Sequence, residues 1–116
     1  MFPKKVSLAD GALFGLIDIG SSMMRLVVYR MENGYPHIFI NQRIWTALAK
    51  NKGSGIFKID DAGISNLKKG LEQFVEVCSD AKCLEIQCFA TSALREAENG
   101  SAVVSEFYLK QALKFR

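Results

Sequence analysis

Much that would mark a specialised chain is scarce or missing in these 116 residues. No apolar run approaches the ~20 residues that a membrane-spanning helix needs. The opening MFPKKVSLADGALFGLIDIG lacks the apolar core and small-residue cleavage site of a secretory signal, so a cytoplasmic chain with no membrane partner is expected. Charge of one sign is scarce too: 15 Lys and Arg against 12 Asp and Glu leave a net +3. The two signs are interleaved rather than gathered into a run, which argues against a nucleic-acid partner and leaves only a weak preference for anions. Histidine occurs once, as His37 in YPHIF, and reads as a surface or partly covered strand position. The three cysteines, Cys78, Cys83 and Cys88, form no CxxC pair and have no histidine beside them. If residues 83–90 are a strand, Cys83 and Cys88 point to opposite faces, so reduced core thiols are expected rather than a metal centre. An odd number of cysteines suits a reducing compartment.

What is present reads as one globular domain: 49% hydrophobic and 23% charged, with no internal repeat, low-complexity tract or linker. LFGLIDIG is a short apolar run that ends in turn residues, a buried strand, and MRLVVYRM follows at once. Asn33-Gly34 is the strongest short hairpin signal, and YPHIFINQRIW is its return strand. From Asp60 onward, Ile64, Leu67, Leu71, Phe74, Val75 and Cys78 recur at helical spacing, with Asp60 or Asp61 as the cap. Gly70 weakens that helix by about 1 kcal/mol. CLEIQCFA alternates as a fourth strand, and NGSAVVSEFYLKQALKF makes a second helix that starts near Asn99 or Ser101. The order is βββαβα, with the helices expected on one face of a mixed sheet and the other face largely uncovered.

Three antiparallel strands followed by αβα open the ribonuclease-H-like fold, the half-domain of the actin-like ATPase superfamily. In that fold the first turn borders the active cleft. An Asp-x-Gly-Ser there can bind phosphate, because glycine lets the backbone approach an anion, N–H groups and hydroxyls bond phosphate oxygens, and the carboxylate can hold a metal ion. The same four residues read equally well as a plain hairpin turn.

Two further stretches carry a resemblance. DIGSSMMRLVVY resembles the DIGSNSxRLVVY signature of the exopolyphosphatase and guanosine-pentaphosphate phosphohydrolase (Ppx/GppA) family, and FATSALREAENG is similar to that family's ATSALREAxNG segment. The likeness runs over residues 13–112, including the loop INQRIWTALAKNKGSGIFKIDDAGI. It implies a hydrolase of phosphoric anhydrides that releases the terminal phosphate of polyphosphate or guanosine pentaphosphate with Mg2+. Residue by residue, it implies that Asp18 holds the metal, that Gly20, Ser21, Ser22, Arg25 and Thr91 bind phosphate, and that Arg95 is catalytic, its fork neutralising charge on the transferring group. The alternative for Arg95 is a salt bridge to Glu96, Glu98 or Asp80. Glu96 and Glu98, as neighbours of Arg95 at a helix start, suit the positive end of the helix dipole.

The departures from the family pattern matter as well. Ser22 and Met23 stand where the family has asparagine and serine, so phosphate affinity should suffer. Ala47 and Ala49 replace glycines, while Gly53 and Gly55 come later. Lys50, Lys52 and Lys58 make this loop cationic, suited to a polyanion or merely solvated. No match is found for the family's catalytic base or its second phosphate loop, DIGGGS. Residues 1–116 are therefore expected to be the amino-terminal part of domain I, truncated, inactive alone or completed by another lobe. The other reading is a non-catalytic phosphate- or nucleotide-binding or interaction module, which pairs through an open sheet edge as a homodimer or with a complementing lobe.

Overall fold

Alternation of apolar side chains builds a five-stranded sheet against which one long helix closes. The computed structural model describes residues 10–48, 58–90, 92–111 and 114–115. The elements are β1 (Leu13–Ile19), β2 (Met23–Glu32), β3 (Tyr35–Trp45), α1 (Asp61–Asp80), β4 (Glu85–Ala90), α2 (Ser92–Glu96), α3 (Gly100–Gln111) and β5 (Lys114–Phe115). The sheet order is β3-β2-β1-β4-β5. The first three strands are antiparallel, whereas β4 runs parallel to β1 and β5 parallel to β4. This mixed sheet is the ribonuclease-H-like arrangement that the element order implies. Two short elements add to that order: the five-residue α2 and the two-residue β5. The fourth strand also begins at Glu85 rather than Cys83, whose N–H goes back to Cys78 O in α1 at 3.0 Å.

The β2–β3 hairpin turns at Asn33 and Gly34, with φ 52° and 80°, the left-handed pair that a two-residue turn between twisted strands requires. Helix α1 starts where the pattern places it: Asp60 is the cap, its carboxylate accepting from Gly63 N at 2.7 Å. Leu67, Gly70, Leu71, Phe74 and Cys78 form its buried stripe, with Ile64 and Val75 half-buried beside it. The core lies between this stripe, Leu94, Ala97 and Val103 of the α2–α3 region, and one sheet face made by Ile17, Ile19, Met24, Leu26, Val28, Cys88 and Ala90. Gly70 is there for closeness: a methyl on it would stand 2.6 Å from Met24 Sδ. The glycine's cost in helix propensity is offset by that intimate packing.

Strand parity sends the other side chains to the opposite face, on which no described helix packs. Phe14, Leu16 and Asp18 of β1 stand beside Tyr29, Val27 and Arg25 of β2, and Glu85, Gln87 and Phe89 of β4. Phe14 and Tyr29 stack, with centroids 6.0 Å apart. Strand β3 is the outer edge and is exposed over most of its length, His37 included. No helix of the described residues is long and apolar enough to cross a membrane.

Candidate functional site

Two strand ends define the candidate site. Strands β1 and β4 are parallel neighbours with Ile19 beside Ala90, so the turn after β1 and the segment after β4 leave the same edge of the sheet. Gly20, Ser21 and Ser22 form the first of these, closed by Gly20 N donating to Met23 O at 2.9 Å. The Ser22 carbonyl is held from the far side, accepting from both Thr46 N at 2.9 Å and Ala47 N at 3.1 Å. This carbonyl is thus turned toward the exit of β3, while Ser21 beside it is half-buried and Ser22 is exposed at the end of the sheet. The left-handed glycines are Gly11 and Gly34, so Gly20 is not demanded by backbone φ.

The exit of β3, where Ala47 stands in place of a family glycine, has two unusual features. Thr46 is 1% exposed and its hydroxyl has no hydrogen-bond partner among the described residues. Ala47 has φ 53°, in the region where a Cβ is crowded. Strain of this kind persists only where surrounding bonds enforce it. Here the paired bonds to Ser22 O do so.

Asp18 and Arg25 are partners across β1 and β2 on the open face. Asp18 is exposed, and the half-buried Arg25 donates from Nε to Asn41 Oδ1 at 3.2 Å. Asp18 and Arg25 both line a trough of about 510 Å3 that also takes in Leu16, Val27, Tyr29, Ile38 and Phe89. Among the described residues, no group of three or more His, Cys, Asp and Glu is placed to hold a metal ion. Behind Asp18, burial pushes the Cys88 thiol up to about 12, and the Asp18 charge adds to that rise.

Beyond β4, Arg95 is exposed in the last turn of α2. Glu96 ends that helix, and Glu98 precedes α3, so neither sits at the start of a helix that contains Arg95. No ion pair joins Arg95 to Glu98 or Asp80 among the described residues. Thr91, Lys50, Lys52, Ala49, Gly53 and Gly55 lie outside the described residues, while Lys58 is exposed. Asn99 stands directly before α3, where its start is expected, and its side chain acts as a clamp, in which Oδ1 accepts from Ile59 N and Nδ2 donates to Ile59 O, both at 3.0 Å. This amide pairs with a backbone unit as a strand would, tying the entry of α3 to the entry of α1. The structure thus brings the turn at 20–22, Asp18, Arg25 and α2 to one edge of the sheet.

Comparison with known proteins gives a consistent result. The model of the Ppx/GppA phosphatase family matches residues 27–112, beginning after the first turn. Exopolyphosphatase 1 of Mycobacterium tuberculosis (strain ATCC 25618 / H37Rv) is 33% identical over 92 residues, covering 78% of this chain and 26% of that protein. Exopolyphosphatase 1 of Mycobacterium leprae (strain TN) is 29% identical over 92 residues, covering 78% of this chain and 27% of that protein. Among solved structures, the Aquifex aeolicus Ppx/GppA family member superposes with a TM-score of 0.82 at 23% identity, over 90% of this chain and 34% of that one. An exopolyphosphatase from Cytophaga hutchinsonii gives 0.79 at 20% identity, over 89% of this chain and 33% of that one. The chain spans about a quarter of the length of the curated relatives it matches and about a third of the solved ones.

Proposed function

The chain belongs to the Ppx/GppA phosphatase family, and from that premise we propose that residues 1–116 supply the first phosphate-binding wall of domain I of a phosphoric-anhydride hydrolase. Its substrate is polyphosphate or guanosine pentaphosphate, its compartment the cytoplasm. The observation that carries this reading is the parallel β1–β4 pair, which sends the turn at Gly20–Ser22 and the helix of Arg95 off the same sheet edge. Phosphate seated there is met by backbone N–H groups and hydroxyls of Ser21 and Ser22 from one side and the Arg95 fork from the other.

A magnesium ion fits these residues in one way. Mg2+ keeps several waters and takes one or two carboxylates plus phosphate oxygens, and Asp18 is an exposed carboxylate two residues before the turn. Bound there, the ion neutralises phosphate charge. The remaining work falls to the chain itself: Ser22, held by Thr46 and Ala47, presents the turn, and Arg95 stabilises charge on the outer oxygens.

A single wall binds weakly, with Kd on the order of 1 mM, or about −4 kcal/mol. Titration of the isotope-labelled chain with inorganic phosphate is expected to shift the Ser21, Ser22 and Arg95 amide resonances saturably. Asp18→Ala should abolish the Mg2+-dependent part of the response and Arg95→Ala the Mg2+-independent part. Silence of both segments would reject the proposal.

A further inference from the structure

The open face of the sheet is a grid set by register. One row in from the phosphate turn, past Met23 and Trp45, it reads Arg43, Arg25, Asp18, Phe89 from β3 to β4. Arg25 and Arg43 are direct cross-strand partners. Like charges at such positions disfavour one another, and an anion between them would relieve a repulsion that Asp18, beside Arg25, offsets only in part. Neither guanidinium forms an ion pair among the described residues. Asn41 takes only Arg25 Nε, so the two terminal nitrogens of Arg25 remain as donors. Arg43 is exposed on the outer strand.

The opposition of these arginines comes from a β-bulge. From Glu32↔Tyr35 to Tyr29↔Ile38 the hairpin register is regular, but Val28 pairs with Ile40, so Phe39 is the extra residue. Without the bulge, Gln42 would face Arg25 and Arg43 would turn to the helix-covered side. Bulges re-aim side chains next to functional sites in this manner. The row lies two residues down β2 from its first residue, Met23, about 7 Å at the rise of a strand. A chain of linked phosphates that ends at Gly20–Ser22 can therefore cross it. Asp18, on the other flank of Arg25, repels an anion there and biases it toward Arg43.

We propose that Arg25 and Arg43 form a second anion subsite, which holds a phosphate unit further along a linear polyphosphate whose end occupies the Gly20–Ser22 turn. The subsite rests on the reading of that turn as a phosphate grip. Two adjacent planar forks suit the closely spaced oxygens of a phosphate chain, and the continuity with the turn favours that ligand over an acidic peptide.

The test compares inorganic phosphate, tripolyphosphate and a polyglutamate peptide on the labelled 116-residue chain at constant ionic strength. Tripolyphosphate is expected to bind at least about tenfold more tightly than phosphate, shifting amides at 24–26 and 42–44 besides 21–22. Arg43→Gln, at an exposed position that does not threaten folding, should remove most of that advantage and leave the phosphate response of Ser21 and Ser22 intact. If phosphate still shifts Ser21 and Ser22 but tripolyphosphate affinity ignores Arg43→Gln, the subsite is overturned and the reading of the turn stands. Silence at 21–22 with both phosphate probes overturns the two together. Polyglutamate bound through Arg43 more tightly than tripolyphosphate assigns the arginines to a peptide and overturns the subsite.

Discussion

Ala47 shows how one residue can absorb the cost of building a site. Its left-handed φ of 53° is enforced by the bond from its N–H to Ser22 O, and a Cβ in that region costs about 1–2 kcal/mol. Ala47→Gly relieves this strain at the expense of a looser unfolded chain, so stability should rise by up to about 1 kcal/mol. A lower urea midpoint for the variant would contradict the account. The cysteines make a second prediction at this scale. Burial pushes the Cys78 and Cys88 thiols from 9.0 up to about 12, while burial also raises Cys83, against an opposing hydrogen bond with Cys78. At pH 8 a thiolate-selective reagent should therefore modify the half-buried Cys83 first and reach the other two only through unfolding. The same shifts set an alkaline limit. Between pH 9 and 12 the unfolded chain releases protons that the folded one keeps, so stability is complete below about 9 and falls as pH rises toward 12. Equal urea midpoints at pH 8 and pH 10 would exclude this linkage.

Among the elements, α1 is the one whose ends and faces follow most directly from local chemistry. Its cap bond, Asp60 to Gly63 N, is local, and Asp60→Ala should lower stability by about 1 kcal/mol, readable by thermal denaturation. The α2–α3 corner is made by closeness instead. A methyl on Gly100 would collide with Leu94 O, so the two helices meet there only because that residue has no side chain. Strand β3 owes its two faces to the bulge at Phe39, whose ring has the Arg30 guanidinium 5.9 Å from its centroid. A one-residue slip exchanges every side chain beyond it between faces.

For the molecule as a whole, Asn99 links parts of the chain forty residues apart, since both of its amide bonds go to Ile59. Asn99→Ala strands a partly buried N–H and C=O, which should cost about 1–3 kcal/mol. The loss should appear as faster hydrogen exchange at the starts of both α1 and α3, and a change confined to α3 would refute the link. The sheet itself holds the candidate site together. Parallel pairing of β1 with β4 makes two segments distant in sequence leave one edge, and antiparallel pairing of β2 with β3 brings Arg43 to the same face as Asp18 and Arg25.

By itself the sequence determined those features that local forces decide. Asn33-Gly34 turns because both residues tolerate positive φ, α1 starts at Asp60 because a carboxylate can accept the free N–H of Gly63, and alternating apolar residues produce β1 to β4 in order. The turn at Gly20–Ser22, with Asp18 on the strand before it, was legible as a turn for the same reason, from residue types and spacing. Contacts between distant segments were decided only by the tertiary structure. Residue 39 became a bulge, which set Arg43 opposite Arg25; Thr46 and Ala47 were drawn to Ser22 O; the Asn99 side chain became a clamp on Ile59. Each depends on which backbone groups find partners once the sheet and α1 have closed on one core, a competition among groups far apart in sequence that no local pattern records.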